Sequence, residues 1–322
     1  MGARRYLFAK VASALGTLLF VLTFNFFLFR VAGDPVKLLV RSQKLSPAQQ
    51  AELYEALGLD HSLPVQYVQY LGQTLRGDLG ISFMSGQPVS QVIAQRIWPT
   101  LLLVGTGTIL ATIFGILLGI AGAYRRGTLF DGATMMGAMT FYSMPDFWLG
   151  MLLLMLFGVA LGWFPVAGYE TYGADYSGVT HWADVFHHVF LPCLTITVGY
   201  IADYSLIMRS TLLEVLNEDF ITTARAKGLS DRTVRRRHAI PNALLPIATA
   251  LILYFSYVLG GSITVEIVFS YPGLGLLTWQ AIENLDFPVL QGIFLLSSVA
   301  IIAAGLIADI SYSYLDPRVR EA

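Results

Sequence analysis

Residues 212–230 read Leu212-Leu213-Glu214-Val215-Leu216-Asn217-Glu218-Asp219-Phe220-Ile221-Thr222-Thr223-Ala224-Arg225-Ala226-Lys227-Gly228-Leu229-Ser230, a polar passage set between two long apolar runs. Acids Glu218 and Asp219 open its centre and bases Arg225 and Lys227 close it, the order that complements the dipole of a short helix. Gly228 suits a left-handed position just past that helix, and Ser230 can cap a second one. The second helix carries Arg232, Arg235, Arg236 and Arg237 and returns to apolar sequence at Pro241. Thr223, Ala224 and Ala226 form a low surface that another protein can approach closely, while Phe220 and Ile221 offer apolar anchors for a groove. An ordinary basic loop would have the same composition, so the pattern alone leaves both readings open.

Outward from this passage lie the apolar runs Leu191–Met208 and Leu244–Phe269. Val11–Phe29, Ile97–Ala123 and Thr134–Leu161 precede them, and Val289–Tyr314 follows. A bilayer core takes about 20 apolar residues to cross, and each run ends in charged, Pro or Gly punctuation. The expected fold is therefore all-α, a polytopic transmembrane bundle of six spans. Composition agrees: of the 322 residues 55% are hydrophobic and 13% charged, with a mean hydropathy of +0.63, where a soluble domain carries about a quarter charged residues. Arg4, Arg5 and Lys10 before the first run imitate a secretory signal. The run is too long for one and no small-residue cleavage site follows, so it reads as a retained span.

Topology follows from the basic residues. All but Arg30, Lys37, Arg41, Lys44, Arg76 and Arg96 of the 20 Lys and Arg lie on the side shared by the N-terminus, the Arg125–Arg126 loop, residues 209–237 and the C-terminus. Basic short loops stay inside, which predicts cytoplasmic termini. Four regions result: 1–30, the first span; 31–96, a small helical extracytoplasmic insertion; 97–314, a core with the cytoplasmic loop 209–241; and 315–322, a tail. In the insertion, Ser46-Pro47 with Leu53 and Leu57 predicts one short helix, and Val65, Val68 and Leu71 predict another.

Within the spans, Asp203 is the carboxylate that reads as deep. Such groups usually face a bundle interior or a wet cavity. It could line a translocation path with Tyr200, or be a buried polar group bonded to Tyr200 or Tyr204. Asp309, near the end of the last span, reads as locally paired. Cys193 excludes an internal disulfide and reads as a small apolar residue at a helix start. His181, His187 and His188 read as solvent-facing loop residues, with no metal site assigned. Trp148, Trp163 and Trp182 fall where indoles anchor in headgroups. Ser270–Leu276, with Tyr271, Pro272, Gly273 and Gly275, reads as gate-adjacent or as a tight turn. A secondary transporter would need paired intramembrane carboxylates or repeated broken helices. A membrane enzyme would need a convergent His, Asp and Glu set. Neither is evident in the sequence.

The segment 222–241 resembles the cytoplasmic "EAA" loop of ABC importer permeases. Gly228 and Pro241 stand at the pattern's interval, and Thr222, Thr223 and Ala224 replace Glu-Ala-Ala. Thr223 to Leu229 is similar to the dipeptide, oligopeptide and nickel group. The likeness extends to the first (B-type) subunit through Gly33-Asp34-Pro35, Gly58-Leu59-Asp60, Leu63-Pro64, Gln66-Tyr67, Gly77-Asp78-Leu79-Gly80 with Ser82, Ser143, Pro145 and Phe147. It continues through His238-Ala239, Asn242 to Pro246, Phe269 to Gly275, Asp286-Phe287-Pro288 and Asp316-Pro317-Arg318. Leu206 departs from an Arg common there.

The resemblance implies a type I importer permease: a non-catalytic subunit paired with a second homologous permease over two ATP-binding subunits. A substrate-binding protein outside would deliver di- or oligopeptides, with nickel complexes, glutathione or oligosaccharide as alternatives. It implies a bacterial or archaeal cytoplasmic membrane, lipid as solvent and no nucleic acid. This chain would bind no cofactor, ATP and Mg staying on the ATPase subunits; no G-x-x-x-x-G-K-[ST] is present. Phe220, Ile221, Thr223, Ala224, Arg225, Ala226, Lys227, Gly228 and Leu229 would form the ATPase-coupling element. Gly228→Pro or Ala224→Glu is then expected to uncouple transport and spare insertion.

Overall fold

The computed structural model describes residues 3–32, 54, 60–248, 251, 258 and 261–315. The Ser46–Leu57 pattern, the centre of the Leu244–Phe269 run, Gly33-Asp34-Pro35 and the 316–322 tail lie outside the described residues. The rest is helix and turns with one isolated bridge, Ile81 to Pro88. The helices are α1 (Ala3–Ala32), α2 (Leu63–Leu75), α3 (Val89–Tyr124), α4 (Leu129–Tyr142), α5 (Asp146–Ala160), α6 (Val179–Val215), α7 (Asp219–Ala226), α8 (residues 231–243), α9 (Ile263–Val268), α10 (Leu274–Glu283) and α11 (Phe287–Leu315).

Four helical stretches are long and apolar enough to cross a membrane: Phe8–Arg30, Val89–Tyr124, Val179–Val215 and Phe287–Ile307. The expected third span, Thr134–Leu161, is not straight. It is the α4–α5 pair, bent by 100°. Met144 precedes a proline and so avoids helical backbone, and Pro145 is extended at φ −61, ψ 135 where α5 starts. Taken as one crossing, the pair makes five spans among the described residues.

The axis of the fold is the packing of α3 along α6. Gly107, Ala111, Gly115, Gly119 and Ala123 recur every fourth residue, on one face of α3. A Cβ on Gly115 would lie 2.5 Å from Tyr204 Cβ, and one on Gly119 2.6 Å from Met208 Cβ. Without a hydrophobic force between helices in lipid, such close backbone contact is what holds them. Pro99 sits inside α3, and the π-helical turn Leu101–Gly105 follows it.

The N-terminal half docks on the last span. Asn25, buried in α1, donates to the Gln291 carbonyl at 3.2 Å, and the Phe29 ring meets Phe287 and Phe294. The helix expected from Val65, Val68 and Leu71 is present as α2, and its Val65 and Val68 are exposed and take no part in this docking. Instead Tyr67 bonds Thr23 Oγ1 at 2.6 Å, and Tyr67 and Tyr70 pack on Phe26. Cys193 is likewise not at a helix start; it is buried mid-way along α6, 3.5 Å from Thr106 Oγ1.

Candidate functional site

At its C-terminal end α6 runs on to Val215, turns, and α7 begins at Asp219. α7 ends as its sequence dictates. Gly228 has φ +79, and the Leu229 N–H reaches back to the Ala224 carbonyl at 3.3 Å, closing a Schellman-type turn. Ser230 Oγ then accepts from the Thr233 N–H and opens α8. The faces of α7 divide sharply. Ile221 and Ala224 are buried in one cluster with Leu212, Val234, Ala239 and Ala243, so they hold α7 to its own chain. Phe220, Thr223, Arg225, Ala226, Lys227, Gly228 and Leu229 are exposed. Ile221 is thus no free anchor for a partner. Ala224→Glu would drive a carboxylate into the core and disturb the fold, contrary to the expectation that it acts on coupling alone.

One turn above, Arg209 of α6 grips Asp131 of α4 with both ends of its guanidinium: Nε to Oδ1 at 2.7 Å and Nη2 to Oδ2 at 2.8 Å. The Gly127 N–H adds a third bond to Oδ2 at 3.0 Å. Gly122 of α3 leaves the room; a Cβ there would stand 3.4 Å from Asp131 Oδ1. α6, which leads directly into α7, is therefore fastened to the bent pair by a charge-assisted fork.

Higher on α6, Asp203 and Tyr200 are both partly exposed. Asp146, in the first turn of α5 beyond the bend, joins them. A Cβ on Gly199 would lie 2.7 Å from Asp146 Oδ1, and Gly199 and Asp203, four residues apart, share one face of α6. Two carboxylates and a tyrosine thus meet where α5 crosses α6. Asp203 is not the one deep carboxylate that the sequence suggested. Asp146 was not singled out because the sequence reads Thr134–Leu161 as one continuous apolar span, in which a single carboxylate after Pro145 leaves the hydropathy high.

The Ser270–Leu276 loop is a packed part of the core. Tyr271 is buried and donates its hydroxyl to the Pro99 carbonyl at 3.0 Å, and burial pushes that hydroxyl far above the usual tyrosine range, keeping it a donor. Glu266, also absent from the sequence reading, is fully buried beneath it. Its carboxylate accepts from the Leu276 N–H at 2.9 Å, from Thr100 Oγ1 at 3.2 Å and from the Ser262 N–H at 3.4 Å. Gly273 has no room for a side chain between Glu266 and Thr100, and a Cβ on Gly275 would meet Ile263 Cα at 2.8 Å. Pro272 completes the turn, its carbonyl accepting from Arg96 at 3.4 Å.

Beyond it, Asp286 accepts from Ser82 Oγ at 2.5 Å and from the Phe83 and Met84 N–H groups, tying the turn at residues 82–84 to the start of α11. The histidines are on α6 and not in a loop. His181 pairs with Glu170 at 3.3 Å, His187 bonds the Trp163 carbonyl at 2.8 Å, and His188 bonds the Asp184 carbonyl at 2.9 Å. Trp148, Trp163 and Trp182 are exposed. Among the described residues no three His, Cys, Asp or Glu gather as a metal site. The side chain of Asp309 lies outside the described residues.

The described residues thus present long apolar helices, a bent pair clamped to a central rod and a short helix at that rod's end. The chain belongs to the family of binding-protein-dependent transport system inner membrane components, which it matches over residues 81–321, with the N-terminal component of the same systems matching residues 3–104. It is 36% identical over 98% of its length to 99% of a probable peptide ABC transporter permease of Sinorhizobium fredii. To a glutathione transport system permease of Salmonella typhimurium it is 38% identical, covering 98% of each chain. An oligopeptide transport system permease of Bacillus subtilis is 35% identical over the same shares. Among solved structures, the methionine ABC transporter MetNI in an inward-facing form matches with TM-score 0.55 and 17% identity, over 70% of this chain and 97% of that one. The chain is an integral inner-membrane permease subunit of a binding-protein-dependent importer. It is a transport component, whose systems include ATPase and substrate-binding partners.

Proposed function

We propose that this permease imports di- or oligopeptides as one of two homologous permease subunits, over two ATP-binding subunits that hold all the nucleotide and Mg. The exposed face of α7, ended by a fixed Gly228 turn, carries the reading: it is a short rigid knob at the end of the longest helix. Phe220, Thr223, Arg225, Ala226, Lys227 and Leu229 would meet an ATPase cleft, with Ile221 and Ala224 holding the knob to the lever behind it. Displacement of α7 would move α6 and, through Arg209–Asp131, the bent pair; such two-state rocking of packed elements is the common mode of gated transport. Asp203, Tyr200 and Asp146 would face the translocation path, where two carboxylates suit a peptide's terminal ammonium. The Tyr271–Gly275 loop would brace the external gate. The predicted cytoplasmic termini put α7 on the ATPase side.

Relatives named for peptides, oligopeptides and glutathione, itself a tripeptide, support a peptide cargo. The test is ATP-dependent uptake of labelled di- and oligopeptides by proteoliposomes holding the purified assembly and its binding protein. Gly228→Pro is expected to abolish uptake while the chain still inserts and ATP hydrolysis persists. Full uptake by that variant would refute the coupling role. A binding protein that retains glutathione and rejects other peptides would narrow the cargo to that tripeptide.

A further inference from the structure

The cytoplasmic rim carries arginines that the transport mechanism leaves unused. Arg125 and Arg126 follow the last residue of α3, and Arg235 and Arg236 lie at the start of the π-helical turn in α8. The two groups converge on one spot. The Arg235 guanidinium lies over the Tyr124 ring, 4.1 Å from its centroid, and the Arg125 guanidinium lies over Phe130 at 4.8 Å. A guanidinium stacked on a ring is fixed in orientation and keeps the N–H groups along its rim free to donate. Arg126 is close enough to act on the Asp131 carboxylate, but Arg209 and the Gly127 N–H already occupy that carboxylate. Among the described residues none of Arg125, Arg126, Arg235 or Arg236 is in an ion pair. Directly beside them Leu129 is 94% exposed and Phe130 is also exposed, at the point where α4 enters the apolar layer.

We propose that Arg125, Arg126 and Arg235 form a binding site for the phosphate headgroup of an anionic glycerophospholipid of the inner leaflet, its acyl chains lying against Leu129 and Phe130. Basic clusters just cytoplasmic of a spanning helix attract anionic lipid. The general inside bias of Lys and Arg requires charge alone. A headgroup site also uses the Tyr124 and Phe130 rings, and this difference is open to experiment. A free phosphate has the same headgroup chemistry but gains nothing from Leu129.

The assembled transporter is reconstituted in vesicles of equal parts phosphatidylcholine and phosphatidylglycerol, and the motionally restricted fraction of spin-labelled lipid is read for each headgroup. The wild type is expected to prefer phosphatidylglycerol. Arg125→Gln/Arg126→Gln/Arg235→Gln is expected to lose that preference, by on the order of fivefold per arginine at the site. Tyr124→Leu/Phe130→Leu, which keeps every charge and so preserves topology, is expected to lose part of it. This second variant also stands as the test if the triple variant fails to insert. An unchanged preference in both variants would overturn the proposal. Unchanged preference together with loss of the co-purifying ATPase would assign the cluster to that subunit instead. Displacement of the spin-labelled lipid by inorganic phosphate alone would make a soluble anion the ligand and also overturn it.

Discussion

Without the Arg209 guanidinium, Asp131, whose side chain is 7% exposed, would be left with the Gly127 N–H as its hydrogen-bond donor from outside α4. Breaking a fully buried pair from one side costs about 3–5 kcal/mol, and the cost here is smaller because the Arg209 side chain is 21% exposed. Arg209→Ala is therefore expected to lower the thermal midpoint of the purified assembly, and the swap Arg209→Asp with Asp131→Arg to recover part of the loss. Tyr271→Phe removes one neutral bond to the Pro99 carbonyl and should cost about 1 kcal/mol, seen as a modest midpoint shift with the loop still folded. Residues differ in how plainly their sequence announces them. Gly228 and Ser230 were legible because caps depend on neighbours a few positions away. Asp286 and Glu266 were not, since their donors at Ser82 and Thr100 lie far off in the chain, and nothing local distinguishes a buried carboxylate with distant partners from an exposed one.

Among the elements, the α3–α6 seam is the most sensitive to volume. Gly119→Leu has no free space to enter, because Met208 Cβ and the Ser205 carbonyl already touch that position. Overpacking costs about 1–3 kcal/mol in adaptable cores, and here two backbones must part, so the expectation is the top of that range and loss of the folded chain from membranes. Recovery of normal amounts in a membrane fraction would contradict the close packing. The apolar runs were readable from hydropathy. The bend at Ser143–Pro145 was not, because a hydropathy window averages across a proline. The docking face of α2 was not legible for a related reason: its contacts are tyrosine hydroxyls and rings, which an apolar periodicity does not register.

Across the whole molecule, the charge asymmetry predicts that a cysteine at position 126 reacts with an impermeant maleimide only from the cytoplasm, and one at the fully exposed Tyr172 only from outside. The native Cys193, 7% exposed within α6, should contribute little background. Labelling of both positions from one side would reverse the orientation argued from Lys and Arg. The span arrangement was largely legible because lipid imposes it on composition. How the spans pack was not, because lipid-facing and helix-facing positions have similar hydropathy.

The 100° bend also bears on how the chain is made. α4 has 14 residues, about 21 Å of helix, against a hydrocarbon core of about 30 Å. The first arm cannot stop in the bilayer by itself as it leaves the ribosome. It must wait beside the insertion machinery until α5 and then α6 emerge, because the Asp131 carboxylate finds its arginine only when residue 209 has been synthesised. The middle of this protein should therefore enter the membrane as one late-committing block, and in nascent chains truncated before residue 209 a cysteine placed in α4 should stay reactive to an impermeant maleimide, whereas in longer ones it should be protected.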